Sequence, residues 1–277
     1  MRFVHVGAAG FERPVAVAAD GRAFDLRPLT SAIDGEFLAD DGIALARAAV
    51  TRGFLPEIRV GGQRVGAPVL PGKVVRVGLD SHGPAGEPAR IPAVFLKAPN
   101  TVVGPEDEIS LPRGSVRTEH EVELAVVVGA HARRLPSIDA AKQAIAGYTI
   151  SHDVAVRESL PECSATWDPG KSGETVNPLG PWLVPADEID PAALELWLTV
   201  NGERRQRGST AGTAFDPAYV VWHLSQYLTL EPGDVITTSP LAGLDPALPD
   251  RRSLRAGDVV EIGIRGLGSQ RQRMCHA

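Results

Sequence analysis

The stretch His120-Glu-Val-Glu-Leu-Ala-Val-Val-Val-Gly129 restricts the architecture of this chain more than any other. It reads as a β-strand, and a period of two puts Glu121 and Glu123 on one face of a segment that otherwise turns apolar. Two neighbouring carboxylates repel, and burying them is costly unless a cation or bases of opposite sign lie between them. A metal ion answers that cost most simply. The following strand, reached by a helical crossover, ends in Tyr148-Thr-Ile-Ser-His-Asp153-Val, so its terminal aspartate offers a third oxygen at the same sheet edge. Three carboxylates suit Mg²⁺ or Mn²⁺ and not zinc. His120 and His152 adjoin these acids in sequence, so alternation turns both to the opposite face as packing residues. From spacing alone a second reading stays open, in which Glu121 and Glu123 line an exposed strand face and Asp153 starts a turn.

A strand of this kind needs neighbours, and the chain supplies many short ones. Strand-like runs cover Phe3 to Val6, Val15 to Ala18, Val74 to Val77, Ala93 to Leu96, Glu121 to Val128, Tyr148 to Ser151, Leu196 to Val200, Val235 to Thr238 and Val259 to Ile264. The 23 prolines and 29 glycines are spread over the turns between them. Helices are predicted from Asp41 to Arg52, from Ile138 to Ala146 behind a Ser137 cap, and from Tyr219 to Leu230 behind Asp216-Pro217. Gly66-Ala-Pro-Val-Leu-Pro-Gly72 has the composition of a connection. The expected fold is mixed α+β and β-rich, with a small N-terminal α/β domain over 1–70 and a larger domain over 71–277.

Charge narrows the partners. With 28 Lys and Arg against 34 Asp and Glu the net charge is -6, which leaves no electrostatic footprint for nucleic acid or an anionic membrane. The N-terminus lacks a signal-peptide pattern and no run of about 18 apolar residues occurs, so a cytoplasmic protein without a membrane span is expected. Cys163 and Cys275 cannot form a disulfide framework or a cysteine zinc site, although a single bridge between them stays open. Gly170-Lys171-Ser172 lacks the glycine that a phosphate loop needs five positions earlier, where Ala165 stands. Neither a G-x-S-x-G elbow nor a G-x-G-x-x-G turn is present.

Several ordered segments resemble the fumarylacetoacetate hydrolase family, in its acylpyruvase and oxaloacetate decarboxylase-like branch. They are Pro71-Gly-Lys-Val-Val-Arg-Val-Gly-Leu79, Phe95-Leu-Lys-Ala-Pro99, the strand from His120 to Gly129, Ala146-Gly-Tyr-Thr-Ile-Ser-His-Asp-Val-Ala-Val-Arg157, Trp167-Asp-Pro-Gly-Lys-Ser172, Pro178-Leu-Gly-Pro-Trp182, Val200-Asn-Gly-Glu-Arg-Arg-Gln206 and Leu230-Glu-Pro-Gly-Asp-Val-Ile236. The resemblance implies a C-terminal domain of rolled mixed β-sheet, a homodimer, and a divalent ion at the equivalents of Glu121, Glu123 and Asp153. Lys97 would then bind substrate, where the alternative is a surface lysine paired with any acid. Lys171 would support the oxygen on which enolate charge develops, where the alternative is a solvated loop. Arg157 would either grip a substrate carboxylate or tie down a ligand carboxylate, the second being preferred.

Departures from the family pattern bear on the reaction. Hydrolytic members place an Asn-Tyr pair after Val-Gly-Leu and then a His with a Glu three residues on. Here Asp80-Ser-His-Gly-Pro-Ala-Gly-Glu87 sets His82 and Glu87 five apart around helix-opposing Gly and Pro. They can still activate a water, or be ordinary polar residues of a loop. Thr238-Ser-Pro-Leu-Ala-Gly243 keeps Thr238 as a substrate contact but puts Pro240 where a threonine is usual, and Glu174 replaces an aspartate. The resemblance implies a metal-dependent hydrolase that cleaves a carbon-carbon bond in an acylpyruvate-like 1,3-dicarbonyl 2-oxo acid, with an enolate held at the cation. A decarboxylase or enol/keto isomerase on the same chemistry is the second reading, in a catabolic or natural-product pathway. A non-catalytic binding relative is the third.

Overall fold

In the computed structural model, which describes residues 1–78, 92–113, 115–156, 169–213, 215–238 and 253–277, short strands follow one another between tight turns. The first part of the chain gives β1 (Arg2–Val6), β2 (Arg13–Val17), β3 (Ala23–Asp25), α1 (Gly35–Ala39), α2 (Gly42–Thr51), β4 (Glu57–Ile58) and β5 (Val65–Gly66). Next come β6 (Val74–Gly78), β7 (Ala93–Lys97), β8 (Val102–Val103), β9 (Ile109–Leu111), β10 (Thr118–Val128), α3 (Ile138–Gln143), β11 (Ile145–Val156) and β12 (Asn177–Pro185). The last part gives β13 (Glu195–Val200), β14 (Glu203–Ser209), α4 (Pro217–Ser225), β15 (Val235–Thr238), β16 (Val259–Ile264) and β17 (Gly268–His276). The expected mixed α+β, strand-rich class is what the chain adopts.

Two sheets carry the strands. The larger runs β4-β3-β2-β1-β12-β11-β10-β15-β6-β7, with β5 added to β1 and β8 to β12; the smaller runs β14-β13-β16-β17-β9. Most pairs are antiparallel, while β6 with β15, β8 with β12 and β9 with β17 are parallel. Strand β1 pairs with β12, so residues from the first part of the chain and from its centre share one sheet.

Strand β10 divides two cores by its alternation. Val122, Leu124, Val126 and Val128 pack with Leu198, Ile262 and Ile264 of the smaller sheet. Ala125 and Val127 pack on the opposite side with Phe3, Leu179, Leu183 and Val235. Burying an aliphatic side chain of this size contributes roughly 1.5–3 kcal/mol, so both faces of the strand are fixed by packing. Register is therefore set, and a slip by one residue would exchange the two faces.

Several local expectations are corrected. The strand bearing Asp153 is three times as long as the predicted run from Tyr148 to Ser151, spans Ile145–Val156, and pairs antiparallel with β10 inside the sheet, not at its edge. Helix α3 stops at Gln143, before the predicted Ala146, because the Ala144 carbonyl accepts the Gly129 N–H (2.7 Å) and Ile145 begins β11. Helix α4 stops at Ser225, before Leu230, because the Ser225 carbonyl accepts the Arg134 N–H (2.6 Å). Among the described residues no helix is long and apolar enough to cross a membrane.

Candidate metal centre

Glu121 lies directly opposite Asp153 in the β10–β11 register, and Glu123 lies opposite Ser151. Facing residues of an antiparallel pair share a side of the sheet, so all three acids project from one face. One oxygen from each lies within 4.8 Å of the others. All three are buried: 6% of Glu121, 1% of Glu123 and 1% of Asp153 is exposed. The open reading of an exposed strand face is thereby overturned.

Alternation turns His120 and His152 to the other face, toward the core between the sheets. His152 is fully buried and its Nδ1 lies 3.0 Å from Gln272 Oε1 on β17. Burial pushes its imidazole down to about 3, so the ring is neutral.

Among the described residues, three cations surround the acids. Arg76 comes from β6, two strands beyond β10; its Nε lies 2.7 Å from Asp153 Oδ2 and 3.4 Å from Glu123 Oε1, and its Nη2 donates to Glu121 Oε2 at 3.1 Å. Lys97, at the end of β7, donates to Asp153 Oδ1 (2.7 Å), Asn177 Oδ1 (3.0 Å) and the Val176 carbonyl (3.3 Å). Those contacts take all three hydrogens of its ammonium. Lys171, in the turn before β12, donates to Asp153 Oδ2.

The electrostatics separate the carboxylates. Burial alone would raise Asp153, but Lys171, Lys97 and Arg76 hold it well below the usual carboxylate range. Glu123 is pushed up to about 8, first by burial and then by Asp153 and Glu121, with Arg76 only partly opposing. Neither oxygen of Glu123 receives a hydrogen bond. Burial pushes the Lys97 ammonium down, against the pull of Asp153. A buried carboxylate that no donor satisfies, aimed into a cluster of acidic oxygens, is the chemistry a hard divalent cation would answer. The residue set therefore fits Mg²⁺ or Mn²⁺.

Other predicted residues fall as follows. Thr238 is buried at the end of β15, and its hydroxyl donates to the Leu124 carbonyl at 2.9 Å. Thr237, registered with Ala125 and Arg76, occupies the acid-bearing face, and its buried hydroxyl makes no hydrogen bond. Glu174 is exposed. His82, Glu87 and Arg157, together with Pro240 and Cys163, lie outside the described residues. Sequence reasoning missed Arg76, Asn177 and Thr237. The signal available for Arg76 was a lone charge inside the apolar run Val74 to Val77.

Residues 72–275 match the family model described as Fumarylacetoacetate (FAA) hydrolase C-terminal. The chain belongs to the fumarylacetoacetate hydrolase family. A Burkholderia lata protein named as a hydrolase is 40% identical over 279 residues, spanning 98% of each chain. This family member is also similar to the solved 5-carboxymethyl-2-hydroxymuconate delta-isomerase of Mycobacterium smegmatis, with 28% identity and a TM-score of 0.78 over 100% of this chain and 99% of that one. It is similar as well to the maleylpyruvate hydrolase of Sphingobium sp. SYK-6, solved with manganese(II) ion and pyruvate, with 26% identity and a TM-score of 0.79 over 100% of both chains. The fumarylacetoacetate hydrolase family fold and a buried acidic triad thus occur together in this chain.

Proposed function

We propose that this protein is a divalent-metal-dependent hydrolase that cleaves a carbon-carbon bond in an acylpyruvate-like 1,3-dicarbonyl 2-oxo acid. The observation that carries the reading is the convergence of Glu121, Glu123 and Asp153, with the Glu123 carboxylate lacking any hydrogen-bond donor. Those three residues would hold Mg²⁺ or Mn²⁺, which when bound supplies Lewis acidity at the substrate's 2-oxo acid oxygens. The similar maleylpyruvate hydrolase, solved with manganese(II) and pyruvate, supports both the metal and the substrate class.

The chain's own residues do the rest. Lys171 brings positive charge to the carboxylate cluster, where the enolate oxygen of the departing pyruvate unit develops. Lys97, whose ammonium donates to Asp153, Asn177 and the Val176 carbonyl, would bind substrate charge beside that carboxylate. Thr238 would meet substrate through its remaining acceptor capacity, while Thr237 brings a hydroxyl free to donate. His82, oriented by Glu87, takes a proton from the water that attacks the distal carbonyl. The carbon-carbon bond then breaks, its electron pair passes to the pyruvate enolate, and a proton returns to carbon. Arg157 fixes a ligand carboxylate. We read 1–70 as a smaller N-terminal unit, 71–277 as the catalytic one, and the working form as a cytoplasmic homodimer.

A second reading, an isomerase on the same enolate chemistry, is favoured by the full-length likeness to a delta-isomerase. One screen separates the two: acylpyruvates and 2-oxo acids incubated with Mg²⁺ or Mn²⁺, with products read by mass. Pyruvate release that Glu123→Ala abolishes is the expected result, and full activity in that variant refutes the proposal. Tautomerisation that survives His82→Ala while hydrolysis is lost would establish the isomerase.

A further inference from the structure

Arg76 touches every acid of the triad. Its Nε lies at ion-pair distance from Asp153 and Glu123, and its Nη2 bonds Glu121. Yet Nε makes no aligned hydrogen bond, so its place among the acids is held by charge and by one directed contact to Glu121. Among the described residues, Arg76, Lys97 and Lys171 set three positive charges against the three carboxylates when all are ionised. A divalent ion entering beside those three cations adds buried positive charge, which a low-dielectric site resists and which displacing one of them relieves.

The surroundings give the guanidinium somewhere else to go. Gly78 stands two residues along the same strand face, and a Cβ there would lie 3.0 Å from Arg76 Nη1, so the absent side chain leaves room along β6. Phe95, registered opposite Arg76 on β7, presents its ring 6.0 Å from the guanidinium carbon, within reach of a cation–π contact.

We infer that Arg76 competes with the metal ion for Glu121, Glu123 and Asp153, and that its displacement frees the guanidinium to clamp the carboxylate of an anionic substrate. The inference rests on the metal reading above. It makes ion and anion bind as partners: the ion evicts the arginine, and the anion offsets the excess charge and takes up the evicted group. A planar guanidinium suits that exchange, because it pairs bidentately with one carboxylate as readily as it spans two.

The test is Mn²⁺ titration of the full chain at a single pH, read by electron paramagnetic resonance of the free ion, with and without oxalate as the anion probe. Arg76→Met is expected to bind Mn²⁺ about tenfold or more tightly than wild type without oxalate, a coupling of the size neighbouring charges show. Oxalate should tighten Mn²⁺ binding more in wild type than in the variant. Equal or weaker Mn²⁺ binding by Arg76→Met, or an unchanged oxalate effect, overturns the inference while leaving the metal reading standing. Absence of Mn²⁺ binding in both proteins overturns the metal reading and this inference with it. If Arg76→Met does not fold, Arg76→Lys serves: one ammonium cannot bridge Glu121 and Asp153 as the guanidinium does, so its Mn²⁺ affinity should also rise, and a fall or no change overturns the inference.

Discussion

Glu123→Gln removes one proton-binding group from the centre of the site while keeping its volume. With its carboxyl pushed up to about 8 by burial, Glu123 is largely protonated at neutral pH before a cation arrives. A divalent ion takes the ionised form, so each ion bound well below pH 8 expels close to one proton. Apparent affinity should rise by about fifty-fold between pH 6 and pH 8, ~2 kcal/mol, and level off above that. Arg76 adds no proton to this exchange: burial would lower its value, but Asp153, Glu123 and Glu121 together raise it, and it stays charged throughout. Isothermal titration with Mg²⁺ in two buffers of different ionisation heat reads the protons released per ion. Wild type should release close to one below pH 7 and almost none well above pH 8, whereas Glu123→Gln should release almost none at either. The metal-free protein carries the matching sign. Because the folded value lies above the ordinary 4.5, the stability linked to Glu123 is fully present below pH 4.5 and is lost as pH rises through about 8. Thermal unfolding of Glu123→Gln should accordingly be flatter across that window. Equal proton release by the two proteins, or a pH-independent affinity in wild type, would refute the reasoning.

Three further outcomes test the scaffold. Leu198→Ala empties a fully buried position between the two sheets and should cost about 3 kcal/mol, read as a lower denaturant midpoint; a change below about 0.5 kcal/mol would contradict the shared core. Gly147→Ala drives a Cβ into the Val184 carbonyl oxygen across the β11–β12 pair, so the melting temperature should fall, and an unchanged value would mean that the two strands sit further apart. His152, pushed down to about 3 by burial, contributes stability that is fully present above pH 6.5 and lost as pH falls toward 3; His152→Asn should unfold less steeply with acid than wild type, and parallel acid limbs would contradict a neutral buried ring.

Strict alternation along His120 to Gly129 was enough to place Glu121 and Glu123 on one face and His120 on the other, as alternation beside Asp153 did for His152, because packing on each side of a strand leaves no choice of register. It could not show that Asp153 stands opposite Glu121, since pairing depends on which strands meet. Strand β12 was hidden by Pro178, Pro181 and Pro185, residues that ordinarily demote a strand. Strands β14 and β17, rich in Arg and Gln, carry little apolar signal, yet Gln270 and Gln272 of β17 are buried because their amides donate to the Ile150, Gly180 and Pro105 carbonyls. Arg76 was illegible for the same reason: a charge inside an apolar strand acquires meaning only from partners 45 and 77 positions away, Glu121 and Asp153. The parts of the site written in local periodicity could be read, and the parts written in strand order could not.

Counting bound Mn²⁺ on purified protein by equilibrium dialysis tests the metal centre most directly, with wild type compared against the combined Glu121→Gln, Glu123→Gln, Asp153→Asn variant. One ion per chain in wild type and none in a folded variant is the predicted result. A wild-type chain that takes up no ion at millimolar Mn²⁺, or a variant that binds as much as wild type, would contradict it.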